Sequence, residues 1–116
     1  MSILNVSDIL GQQDLKTEVV DVPAWGGSVI VTEMSGSARE SYESLIFDGR
    51  GELRRGNLRA ALLVCCLVDE EGKRLFKDDD LTALGSKNSK VLQDLYAVAR
   101  KLNKLGDEDV EEAKND

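Results

Sequence analysis

Nine consecutive apolar residues, Ala60 through Val68, lie near the middle of this 116-residue chain, and a stretch with no polar face has to be buried whatever its backbone does. Periodicity cannot separate a buried helix from a buried strand in such a run. The opening Ala60-Ala61-Leu62-Leu63 consists of good helix formers and predicts a helix over 58–68. The only two cysteines, Cys65 and Cys66, are neighbours within it. Adjacent side chains point in different directions, so a bridge between them would be strained, and both read as small core hydrophobes.

The chain is long enough for one modest core and too short for two. Aromatic residues make up 4% of it, so the core must lean on Leu, Val, Ile and Ala, which suits helices packed on helices. Ser7-Asp8-Ile9-Leu10 before Gly11 predicts one helical turn. Lys16 to Val22 and Ser28 to Met34 are rich in β-branched residues and flank Pro23-Ala24-Trp25-Gly26-Gly27, which predicts a β-hairpin. Ser37-Ala38-Arg39-Glu40 has capping-box spacing, with Tyr42, Leu45 and Ile46 on one face, so a helix is expected from about 38 to 48 until Asp48-Gly49-Arg50-Gly51 breaks it.

Asp69-Glu70-Glu71-Gly72 predicts a turn, after which Leu75-Phe76 should pack back onto the body. Asp78 is expected to cap a short helix carrying Leu81 and Leu84, closed by a left-handed Gly85. Ser86 or Asn88 then opens the longest helix, where Val91, Leu95, Val98, Leu102 and Leu105 recur at helical spacing and Leu92, Tyr96 and Ala99 widen the stripe. The expected fold is α+β, a mainly helical small domain with an N-terminal β-hairpin. Residues 1–105 should form a single domain and 106–116 an acidic, weakly structured tail.

The net charge of −7 is unevenly spread, because Gly106 to Asp116 holds six acids against Lys114. The remaining body is nearly neutral, so no attraction to nucleic acid or to an anionic membrane is expected. No apolar run reaches the roughly 20 residues that span a bilayer, and the N-terminus lacks a basic start with an apolar stretch, so a cytoplasmic protein is expected.

Histidine is absent, which removes the usual general base and the commonest metal ligand. No catalytic residue, cofactor or metal site is therefore expected, and an enzyme is the least favoured class. Asp78-Asp79-Asp80 lacks the alternating ligands of a calcium loop and suits a solvated helix start, while the glycines match no phosphate-binding spacing. Arg50, Arg54, Arg55 and Arg59 make a basic cluster that is either a solvated loop and helix start or a grip for an acidic partner or phosphate. Trp25, beside Pro23 at the hairpin turn, is either a core plug or an interface anchor. The candidate anchors are thus Trp25, Pro23, Arg54 and Arg55.

Asp21-Val22-Pro23-Ala24-Trp25-Gly26-Gly27-Ser28-Val29-Ile30-Val31 resembles the valine-proline-x-tryptophan-glycine-glycine hairpin of phage tail assembly chaperones. Three further pieces follow in that family's order: Ser35-Gly36-x-x-Arg39-Glu40, Asp69-x-x-Gly72-x-x-Leu75-Phe76, and the Leu84 to Leu105 region with Lys87-Asn88-Ser89. The match covers about residues 8 to 115.

The resemblance implies a late phage protein of the host bacterial cytoplasm that is not retained in the mature virion. It implies a protein that coats the long, aggregation-prone tape-measure protein and self-associates into a homo-oligomer. It also implies a longer product, made by a minus-one ribosomal frameshift, whose added domain recruits tail-tube protein; this chain resembles the short form. Ala113-Lys114-Asn115 can be encoded GCA-AAA-AAC, which contains the slippery heptamer A-AAA-AAC. Two other classes remain open at this stage, an acidic DNA-mimic inhibitor and a prophage-encoded adaptor.

Overall fold

The computed structural model describes residues 2–54 and 56–105. In chain order the elements are α1 (Val6–Leu10), β1 (Thr17–Val22), β2 (Gly27–Thr32), α2 (Gly36–Ile46), α3 (Leu58–Cys66), β3 (Leu67–Val68), α4 (Leu81–Gly85) and α5 (Ser89–Leu102). Short 3-10 turns at Pro23–Trp25 and Asp78–Asp80 complete the set. The fold is α+β, with helices against one face of a small antiparallel sheet.

α3 occupies the centre because it is apolar all round. Every residue from Ala60 to Cys66 is buried, and the helix packs against α2, α4, α5 and β2. The apolar run does not stay helical to Val68, however. After Cys66 the chain extends, and Leu67 and Val68 pair with Val31 and Ile30, so the hairpin gains a third strand in the order β1-β2-β3. The reason is the free edge of β2, whose backbone groups need partners that only an extended chain can supply.

The register of β1 on β2 runs from Thr17↔Thr32 to Val22↔Gly27. Alternation then places Val20, Val22, Val29 and Val31 on the face towards α3 and α5. Val19, Ile30 and Val68 fall on the opposite face.

One turn is built twice. In Asp48-Gly49-Arg50-Gly51 and in Asp69-Glu70-Glu71-Gly72 the aspartate Oδ1 accepts N–H bonds from the residues two and four positions on, at 2.8–3.0 Å. The fourth residue must take a left-handed backbone, φ 80° at Gly51 and 85° at Gly72, which glycine adopts without strain. The first turn joins Phe47 to Leu53 in an antiparallel bridge, the second joins Val68 to Arg74.

Several expected boundaries shift for identifiable reasons. Ser35, not Ser37, caps α2, its hydroxyl accepting the Ala38 N–H at 3.1 Å, so the helix starts at Gly36. Asp78 does not cap; it accepts from Arg74 Nη2 at 2.8 Å, while Asp80 receives the Lys77 N–H. Gly85 is not left-handed. Its bareness serves close packing instead, because a Cβ there would collide with the Asn57 side-chain oxygen. Leu75 is 51% exposed, and only Phe76 of that pair packs onto the core. Asn88 rather than Ser86 opens α5, its side chain accepting from the N–H groups of Lys90 and Val91. The expected tail, 106–116, lies outside the described residues.

Candidate functional site

Trp25 ends the 3-10 turn that Pro23 starts. Gly26 closes it with φ 75° and donates its N–H to the Pro23 carbonyl at 3.0 Å. Val22 is the last β1 residue in the core, and the tip beyond it is exposed. Trp25 is 38% exposed and outside the core cluster, so the core-plug reading does not describe this fold. Trp25→Ala is accordingly expected to change stability by less than about 1 kcal/mol, the scale for surface substitutions. Thermal unfolding checks this, and a drop of about 3 kcal/mol, usual for a buried aromatic, would put the indole back in the core.

The basic cluster separates. Arg50 and Arg54 are exposed on the loop after α2, whereas Arg59 lies on α3 and bonds Gln93 of α5, with its guanidinium 5.9 Å from the Tyr96 ring centre. Arg55 lies outside the described residues. The groove that Arg54 lines holds neither Pro23 nor Trp25.

Cys65 and Cys66 are free and buried, and burial pushes their thiols up to about 11 and about 12. Both stay protonated at neutral pH, which suits packing and not nucleophilic work. Among the described residues no cluster of acids and cysteines has metal-ligand geometry, and no helix is long and apolar enough to cross a membrane.

What the sequence reading missed is a stripe across the outer sheet face. Val19, Ile30 and Val68 line up through the register of all three strands, and Leu75 borders them. The four share an open groove of about 820 Å³ with Asp69, Glu70, Glu71 and Lys73 on its margin. Val19 on the edge strand is 66% exposed, Ile30 is half-buried and Val68 is buried. The period-two pattern of each strand held half the signal; the pairing register held the rest. Chemically the stripe offers an apolar bed with an acidic rim.

A family model for phage tail assembly chaperones matches residues 10–116. Among solved structures, the tail assembly chaperone of bacteriophage HK97 superimposes with a TM-score of 0.57 at 22% identity, over 78% of this chain and 84% of that one. That likeness concerns the fold. No curated protein sequence matches the chain. With the family match running through the sheet, α3 and α5, the chain belongs to the phage tail assembly chaperone family.

Proposed function

We propose that this chain binds and coats the tape-measure protein during tail morphogenesis, as a self-associating homo-oligomer in the host bacterial cytoplasm that leaves before the virion is complete. It acts by holding its client and not by catalysis. In this reading 1–105 is the holding domain and 106–116 its acidic tail. A longer product, reached by a slip at the codons of Ala113-Lys114-Asn115, continues beyond the tail and recruits tail-tube subunits.

The supporting observation is the Val19–Ile30–Val68–Leu75 stripe. A chaperone of this family needs apolar surface that solvent reaches, and here Val19 and Leu75, 66% and 51% exposed, flank the half-buried Ile30 and the buried Val68 on the sheet face away from the core. The acidic margin at Asp69, Glu70 and Glu71 favours an apolar helix flanked by Lys or Arg.

The test is capture of tape-measure fragments by the purified protein. Val19→Asp combined with Leu75→Asp should reduce capture about tenfold or more, the change expected from charging an apolar contact, with the unfolding midpoint unchanged. Equal capture by wild type and double variant would remove the stripe from the client contact. No capture by wild type would remove the reading itself.

A further inference from the structure

Five of the eleven large apolar side chains that solvent reaches among the described residues belong to one short arm ahead of β1: Ile3, Leu4, Val6, Ile9 and Leu10. Ile3 is 98% exposed and Leu10 79%, and α1 buries no residue. The arm is nevertheless locally organised. Asn5 accepts the Asp8 N–H at 2.9 Å and Asp8 accepts the Asn5 N–H at 3.1 Å, a reciprocal cap that orients Val6, Ile9 and Leu10 along one helical face. A capped apolar turn without a partner in its own body is a ligand awaiting a groove. The family match begins at residue 10, so family membership does not account for most of this arm.

The same chain carries a surface of opposite character. Phe47 and Leu53 stand side by side across their antiparallel bridge, 39% and 52% exposed. A shallow groove of about 460 Å³ is lined by Phe47 and Arg54 with Glu43, Ser44, Asp48 and Gly49, and Leu53 borders it through its bridge to Phe47. Two acids here are occupied, Glu43 pairing with Arg39 at 3.6 Å and Asp48 receiving the N–H groups of Arg50 and Glu52, while the Glu52 carboxylate beside Leu53 offsets one of the loop's cations. The guanidinium groups of Arg50 and Arg54 have no partner among the described residues.

Apolar pair and free cations on this loop complement apolar face and carboxylates, Asp8 and Asp14, on the arm. The sheet stripe is the rival acceptor, but its free charge has the opposite sign: Asp69 receives the N–H groups of Glu71 and Lys73 and Glu71 pairs with Lys73 at 3.5 Å, which leaves Glu70 to repel those carboxylates. Charge therefore selects the loop.

We propose that the arm of one copy docks on the Phe47–Leu53 loop of another, with Ile9 and Leu10 against the apolar pair and Asp8 and Asp14 towards Arg50 and Arg54. This rests on the reading that the chain self-associates, and it names the contact. The two surfaces differ, so an open assembly still offers a free arm at one end and a free loop at the other, and the contact is heterologous.

The experiment uses the full chain in sedimentation velocity across a micromolar concentration series. Wild type should grow in size with concentration. An arm variant, Ile9→Asp with Leu10→Asp, and a loop variant, Leu53→Asp, should each associate at least about tenfold more weakly. Circular dichroism and the unfolding midpoint should match wild type in the arm variant, because nothing buried is touched. Mixing the two variants should restore a one-to-one pair, since one supplies an intact loop and the other an intact arm.

Variants that associate like wild type, or a mixture that stays monomeric, would overturn the contact while leaving self-association standing. An arm variant that self-associates normally but loses tape-measure fragments would overturn it in favour of the client. A wild type that remains monomeric throughout would overturn both this contact and the coat reading, while capture through the sheet stripe is read independently.

Discussion

Replacing Leu62 with alanine is expected to lower folding stability by about 3–4 kcal/mol, within the range for a fully buried leucine whose cavity cannot collapse. Leu62 has no measurable exposure and belongs to the central helix, which α2, α4, α5 and β2 enclose together. No single neighbour can relax inward without losing its other contacts, which keeps the cost away from the lower end of the range. For a domain of this size each kcal/mol moves the melting temperature by about 4–8 °C, so a fall of roughly 15–25 °C should follow. Leu53→Ala supplies the contrast. That side chain is 52% exposed, and its removal should stay within about 0.5 kcal/mol. Urea titrations of both variants measure this, read through the midpoint at constant slope. A loss below about 1 kcal/mol at Leu62 would mean that α3 is not the centre of the core.

The same helix marks where sequence alone was sufficient and where it stopped. Burial of the 60–68 run was legible because nine residues without a polar side chain have no way to face water. Its division after Cys66 was not, since Leu67 and Val68 turn to strand only because β2 presents an open edge beside them. A local pattern cannot report a distant edge. α5 was legible for the opposite reason: its stripe has helical period, and Leu92, Leu95 and Ala99 form its buried centre, with Val91, Tyr96 and Val98 on the flanks.

Caps were half legible. A Ser or Asn near a helix start can be recognised, but Ser35 over Ser37 and Asn88 over Ser86 depend on where the extended backbone ends. The aspartate-led turns showed their glycines openly, whereas Gly85 looked like a helix stop and is a point of close approach to Asn57.

The candidate surfaces divide along the same line. Trp25 drew notice because a tryptophan is rare and bulky, yet rarity says nothing about depth, and the hairpin carries it past the core. The four arginines near position 50 looked like one cluster in the sequence. Folding sends Arg59 to Gln93 and Tyr96 on α5 and leaves Arg50 and Arg54 on the loop. The stripe through Val19, Ile30 and Val68 spans three strands separated by 49 positions of chain, so only the paired sheet reveals it.

Asn103→Ala is expected to lower stability by about 2–3 kcal/mol, well beyond the roughly 1 kcal/mol of an ordinary helix-end contact. Nothing in the sequence singles this residue out, since a polar side chain after the last turn of a helix is commonplace. In the fold it is a junction. Its Oδ1 accepts the Met34 N–H at 2.7 Å, and its Nδ2 donates to the Ala99 carbonyl at 2.9 Å and lies 3.4 Å from the Thr32 carbonyl. The same Nδ2 lies 3.5 Å from the Cys66 sulfur, so one amide joins the end of α5, the exit of β2 and the last turn of α3. Alanine leaves the Met34 N–H and the Thr32 carbonyl to find other partners in a half-buried site where water enters poorly. Asn103→Asp keeps the acceptor but removes the donors and adds a charge facing two carbonyls, so it should be at least as damaging as alanine. Asn103→Ser, which keeps one donor and one acceptor on a shorter arm, should fall between alanine and wild type. Chemical denaturation of the three variants gives the ranking. A loss below about 1 kcal/mol for Asn103→Ala, or an aspartate variant as stable as wild type, would show that sheet and helices hold their places without this amide.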